Sequence, residues 1–277
     1  MPASAPSSDE PEPSAGRDTA ADPGGDLDGD LDGDLSADLD DLDDLDDPGN
    51  TSADGDTGDA DEEGRRAQIA ALAASARQAG RRAVVSGRWL ADTVVDIAPR
   101  LPVRGADALS AHHGGLAGDE LARSVVRGAG RVSGGMGAAA GGLITAQEMS
   151  VAGLVLVPFE LAAVTALVVA TEIKLVTELH HVAGRSLPGG PRQRAEGAIV
   201  SWMSGRAATP NEVVANVRGD VLGRAGRQQL RDALRARFVR NLTALGPLLT
   251  GAAAAGYLNR RTTLDIGRRV SRDLGFH

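Results

Sequence analysis

Cysteine is absent from the 277 residues, lysine occurs once, at Lys174, and the aromatic residues are two Trp, one Tyr and three Phe. Without cysteine there is no disulfide framework, no thiolate metal site and no cysteine nucleophile. A Walker A loop needs glycine directly before its lysine, and Lys174 follows Ile173, which excludes that phosphate-binding motif. Few aromatics means few platforms on which bases can stack, so nucleic acid is the disfavoured partner. No apolar/polar alternation marks a strand, and no Gly-x-Ser-x-Gly elbow is present. The segment GMGAAA (135–140) matches a loose dinucleotide-binding pattern, but no strand precedes it. Arg218-Gly219-Asp220 falls within a predicted helix and is read as incidental. No cofactor is expected, and nothing specifies an enzyme.

Charge of one sign is missing locally. Residues 1–63 carry 23 acids and a single base, Arg17, a balance of −22, which leaves 15 acids and 28 bases in residues 64–277, a balance of +13. The first stretch is Asp, Gly, Ser, Pro and Ala with scattered Leu; it cannot bury enough apolar area to offset chain entropy, so a disordered acidic tail is expected over 1–63. Its repeat DLDGDLDGDLSADLDDLDDLDD (26–47) places Asp28, Asp30, Asp32 and Gly33 as an EF-hand loop would, but the twelfth position is Leu39 where a bidentate Glu is needed. A solvated polyanion is the better reading. No basic segment followed by an apolar one opens the chain, which points to the cytoplasm.

From residue 64 to 277 the pattern is helical throughout, and an all-α bundle of about 210 residues is expected, long enough for a core. Residues 65–98 read as one or two helices ending before Pro99, and 119–149 as a further helical region. Pro158 should interrupt the apolar run, with a long helix following to about Gly184. Pro191 suits a first helical position. Thr209, Pro210 and Glu212 form a capping-box start, and the helix after it carries Arg227, Arg231 and Arg235 opposite Val221, Leu230 and Leu234. A last helix should begin near Pro247.

The apolar stretch at 154–184 carries Glu160, Glu172, Lys174, Glu178, His180 and His181. An ionisable group at mid-bilayer costs about 2.5–3.5 kcal/mol, so a membrane span over 149–171 is weaker than a buried or interfacial helix. Glu160, Thr171, Lys174, Glu178 and His181 fall within about 80° on a helical wheel. Glu178 and His181 have the Glu-x-x-His spacing of di-iron bundles and are the metal candidates, but no second such pair exists, and Glu160 lies about 27 Å away along the axis. Lys174 already offers Glu178 a cation one turn away. His112 and His113 read as a loop pair without spaced ligands.

Small residues recur at a spacing of four: Gly130, Gly134, Ala138, Gly142 and Ala146, then Gly251, Ala255, Asn259 and Thr263, with Gly256 beside the second stripe. An interior glycine costs about 0.5–1 kcal/mol against alanine, so such clustering implies close helix packing, with Asn259 able to hydrogen-bond across the contact.

The order of a Gly/Ala-rich segment, ITAQEMSVAGLVLVPFELAAVTALVVATEIKLVTELHHVAG, a Trp-containing helix and LGPLLTGAAAAGYLNRRTTLDIGRRV resembles the EcsC family of bacterial proteins over roughly residues 95–275. Pro247, Gly251, Gly256, Asn259 and Thr263 carry the most specific part of the resemblance. It implies a helical protein associated with a membrane and with an ABC-transporter operon, and no catalytic residues. The expected function is therefore non-enzymatic: a peripheral protein at the inner face of the cell membrane, its partner an anionic surface or a transporter, with oligomerisation open. In that reading the acidic tail competes for the basic faces. The alternatives are nucleic-acid binding by the basic body and a metal-dependent activity at Glu172, Glu178 or His181.

Overall fold

The computed structural model describes residues 55–147, 151–205, 207, 222–244 and 251–277; of these, 55–62, 141–147, 151–154, 244 and 251–254 are described by backbone alone. The elements are α1 (Gly55–Ala79), α2 (Arg81–Val85), α3 (Arg88–Ile97), a 3-10 turn (Ala98–Arg100), α4 (Ala106–His112), α5 (Gly118–Gln147), α6 (Val151–Val182), α7 (Pro191–Ser204), α8 (Arg224–Ala244) and α9 (Gly251–Leu274). No strand occurs among the described residues, and the fold is all-α. Residues 56–277 form one unit by their contacts.

Three helices, α1 to α3, stand where one or two were expected between residues 65 and 98. The breaks fall at Gly80 and Gly87, with φ of 85° and 72°. A left-handed backbone ends a helix, and glycine adopts it without a Cβ penalty. At Gly87 space matters as well: a Cβ there would lie 2.7 Å from the carbonyl oxygen of Arg231 on α8. Helix α1 begins at Gly55, so its first residues come from the stretch assigned to the acidic tail. Asp56, in the first turn, and Asp59 just after it suit the positive end of a helix dipole. The rest of the tail, the capping box at Thr209–Glu212, Arg218–Asp220, Val221 and Pro247 lie outside the described residues.

The second difference is at Pro158, which does not interrupt the apolar run: α6 passes through it and spans Val151–Val182. Proline removes one backbone donor and crowds the preceding turn. Here it sits two turns from the helix start, so little hydrogen-bonded helix lies ahead of it. The far end is a Schellman stop. Gly184, at φ 66°, donates to the His181 carbonyl at 3.0 Å and Arg185 to that of His180 at 2.9 Å.

Helix α6 is the axis of the fold, touched by every helix from α2 to α9. A helix apolar on all sides belongs inside, and 67% of its most apolar window is buried. Leu161, Val169, Ile173, Val176 and Leu179 meet Leu90 and Val94 of α3, Ile199 and Trp202 of α7, and Leu230, Leu234 and Phe238 of α8 in one cluster. A smaller cluster joins Ile69 and Ala73 of α1 to Met136, Ala163, Val164 and Val168. On α8, Leu230 and Leu234 are fully buried, Arg227 and Arg235 are exposed, and Arg231 is half-buried.

Candidate functional site

Glu172 is the most deeply placed charge on α6, with a fully buried side chain. Arg237 of α8 meets it with both terminal nitrogens, Nη1 donating to Oε2 at 2.6 Å and Nη2 to Oε1 at 2.8 Å. The indole Nε1–H of Trp202 donates to Oε2 at 2.8 Å, and the Thr263 hydroxyl to Oε1 at 2.9 Å. A carboxylate has roughly four acceptor directions, and all four are taken. The group therefore has no direction left for a substrate or metal, and it ties α6 to α7, α8 and α9. Glu172, a candidate reactive group from the sequence, is instead an anchor for Arg237, which local pattern had not marked as its partner. A signal existed: Arg237 lies seven residues after Leu230 and three after Leu234, on the apolar face of α8 and off the Arg227/Arg231/Arg235 stripe.

The polar stripe on α6 lies at the edge of the core. Glu160, Thr171, Lys174 and His181 are half-buried and Glu178 is buried. Lys174 Nζ sits 3.5 Å from Glu178 Oε1, which also accepts the backbone N–H of Arg104 at 3.2 Å. The two metal candidates point to different partners, since His181 Nδ1 lies 3.0 Å from Ser186 Oγ. His180 Nδ1 bonds back to the Val176 carbonyl at 2.7 Å. His112 closes α4 and meets His113 edge-on at 5.2 Å, while His113 Nδ1 lies 2.9 Å from Ser124 Oγ. Burial lowers the pKa of His113, reinforced by the neighbouring His112 and Arg104 and opposed by Glu178. Burial also lowers that of His181, with Arg194 adding and Glu178 opposing. No group of three or more His, Asp or Glu converges as metal ligands would, among the described residues.

The small-residue stripes lie on α5 and α9, which form the most extensive helix pair in the fold. A Cβ on Gly130 would meet Leu264 Cδ2 at 2.9 Å, one on Gly134 would meet Arg260 Cβ at 3.3 Å, and one on Gly256 would meet the Gly134 carbonyl at 3.0 Å. The tightest point is Gly137, which the spacing argument passed over: a Cβ there would lie 2.5 Å from the Ala255 carbonyl and 2.6 Å from the Asn259 amide nitrogen. Gly267 is similar, its Cβ position 2.7 Å from Val126 Cγ1. Asn259 is buried beside Gly137. Gly142 and Gly251 lie in α5 and α9 where the backbone alone is described.

These contacts give the helix directions. Gly130 faces Leu264 and Gly137 faces Ala255, so α5 and α9 are antiparallel. Met136 faces Thr171 across the α5–α6 hairpin, and Arg237 and Asn241 of α8 face Glu172 and Thr165 of α6. The end of α5, the start of α6, the end of α8 and the start of α9 therefore lie at one end of the bundle. From the level of Glu172, α6 runs about 31 Å to Val151, whereas α8 runs about 10 Å from Arg237 to Ala244 and α9 about 18 Å from Thr263 to Gly251. Helix α6 overhangs α8 and α9, and Val155, its first described side chain, is 65% exposed. Tyr257 and Leu258 of α9 are exposed as well.

Among the described residues of these four helix ends, 132–147, 151–159, 241–244 and 251–259 contain no Asp, Glu, Lys or Arg. Arginine flanks the uncharged segments at Arg131, Arg240, Arg260 and Arg261. Comparison with family models, with curated proteins and with solved structures finds no match to this chain.

Proposed function

We propose that this chain is a non-enzymatic helical protein that attaches peripherally to an anionic membrane surface through the apolar end of its bundle. The observation that carries the reading is the convergence of the uncharged ends of α5, α6, α8 and α9 where α6 overhangs α8 and α9. Apolar side chains there would enter the interface, each contributing up to about 1.5–3 kcal/mol when fully buried. Arg240, exposed on α8, lies about 6 Å from the end of that helix. From there an arginine reaches phosphates while its stem stays apolar, at about 1 kcal/mol on an anionic surface.

Attachment is favoured over spanning because withdrawing α6 into a bilayer would strip Glu172 of Arg237, Trp202 and Thr263. The EcsC resemblance points the same way, and a membrane transporter is the protein partner such a surface would share. The acidic tail, at −22 over residues 1–63, would compete with lipid for the basic body.

Vesicle flotation tests the proposal. The full chain should float with vesicles containing anionic lipid and far less with neutral ones, and Val155→Asp with Leu258→Asp should abolish flotation while helical content is kept. A carbonate wash should release it. Equal flotation of the double variant would sink the reading. If the same substitutions instead converted a dimer to a monomer in light scattering, the apolar end would belong to a second copy of the chain.

A further inference from the structure

A basic flank runs along the α5–α9 pair on the side away from α6. Met136 of α5 and Thr263 of α9 are buried and reach side chains of α6. Counting 100° per residue, Arg127 and Arg131 stand on the opposite edge of α5, and Arg268 and Arg272 on the opposite edge of α9. These four and Arg123 are exposed. Between the edges Leu264 lies against Gly130 and the Arg260 stem against Gly134, which closes the seam.

The two edges are not equally committed. On α9, Arg268 Nη1 lies 3.7 Å from Asp265 Oδ1, and Arg272 Nε donates to the Arg268 carbonyl at 3.4 Å. On α5, no ion pair or side-chain hydrogen bond engages Arg123, Arg127 or Arg131 among the described residues. Glu120 is exposed one turn before Arg123, and α5 holds no acid after it. The three arginines are spaced four apart, about 6 Å along the helix axis and about 12 Å from first to last. In an extended chain alternate side chains share one face and recur about every 6.6 Å. An arginine stem is long and flexible enough to absorb that difference.

A guanidinium fork matches a carboxylate, and arginine clusters recognise acidic motifs. We propose that this flank docks an acidic segment of a partner protein in extended form, its alternate carboxylates laid along Arg131, Arg127 and Arg123. A partner helix would need an apolar seam to pack on, and between the two edges the flank offers Leu264 and arginine stems. Few aromatics disfavour nucleic acid here as elsewhere in the chain. Arg131 lies about 24 Å and Arg123 about 36 Å from the end of α5, so the flank stands clear of a bilayer met by the apolar end. The inference rests on the proposed attachment only in assigning the flank to a protein and not to lipid.

Calorimetric titration at low ionic strength with the synthetic peptide DLDGDLDGDL, which copies residues 26–35, is the test. It is run on the full chain and on the chain lacking residues 1–54, where the native repeat no longer competes. Saturable binding at one site is expected, and none for the asparagine version NLNGNLNGNL. Arg123→Gln, Arg127→Gln and Arg131→Gln together should weaken binding by about tenfold or more, each exposed pair contributing modestly. Arg77→Gln, Arg235→Gln and Arg240→Gln together remove the same charge away from the flank and should leave it unchanged. Val155→Asp with Leu258→Asp, which tests membrane attachment, should leave it unchanged too, so the two readings fail separately. Melting curves establish that each variant is folded; should the flank triple fail to fold, Arg127→Gln alone should weaken binding several-fold. Absence of saturable binding to both chains, or equal weakening by the two triple variants, would overturn the docking. Duplex DNA bound more tightly than the peptide, or vesicle flotation lost with the flank triple, would overturn it in favour of nucleic acid or lipid.

Discussion

Replacing Glu172 by leucine removes the acceptor on which Arg237, Trp202 and Thr263 converge. Arg237 is left with a charge whose side chain is only 7% exposed and no counter-ion. Breaking one side of a buried ion pair costs about 3–5 kcal/mol. The indole N–H and the threonine hydroxyl lose their acceptor too, at about 1–3 kcal/mol for each buried group left unmet. These losses share one site and do not add fully, so about 4–6 kcal/mol is expected for Glu172→Leu. A domain of this size has about 5–15 kcal/mol in all, so the loss is most of it or a large share. At about 2–4 °C per kcal/mol, the melting temperature should fall by roughly 10–20 °C. Urea unfolding followed by circular dichroism reads the stability directly. The decisive comparison is Glu172→Leu with Arg237→Met: with both charges gone the buried-charge cost disappears, and the double variant should regain at least about 2 kcal/mol over Glu172→Leu alone. A single variant losing less than about 1 kcal/mol, or a double variant no more stable than the single, would refute the reading of Glu172 as the tie among four helices.

Two neighbouring glycines on α5 should respond with opposite signs. Gly137→Ala drives a Cβ against the backbone of α9 and should cost about 1–3 kcal/mol, whereas Gly135→Ala, with nothing within 4 Å, should gain about 0.5–1 kcal/mol; equal melting temperatures would contradict the close contact. Histidine titration should appear in the pH dependence of unfolding. The folded pKa values of His113 and His181 lie below 6.5, so the unfolded chain takes up protons first and stability falls as pH drops from about 6.5 through the lower folded values. His113→Gln with His181→Gln should flatten that slope, and an unchanged slope would assign it elsewhere. Removing residues 1–54, which ends the deletion where α1 begins, should raise flotation with anionic vesicles at low salt, and unchanged flotation would rule out competition by the tail.

Much of the fold was legible because its signals are local. Helical spacing without strand alternation gave the class, Pro191 marked the start of α7, and Gly184 the end of α6. Each depends on residues within a turn or two of one another. Where local signals compete, tertiary context decides. Gly80 and Gly87 look like tolerable interior glycines until φ is known, and Pro158 looks like a stop until its place two turns from the start of α6 is seen.

The site was less legible, for a physical reason. Glu172 and Arg237 are 65 residues apart, and Thr263 is a further 26 along; nothing local tells a buried acid which cation it will meet. The wheel placed Arg237 on an apolar face, but only the antiparallel seating of α8 on α6 chose its partner. Spacing of four found Gly130 and Gly134, while Gly137 became the tightest point because Ala255 and Asn259 cross there. The amino-acid order by itself determined which segments are helical, which are apolar and where charge is lacking. The tertiary structure alone decided which uncharged ends share a pole of the bundle and which arginines share a flank, because those follow from how whole helices pack across long stretches of chain.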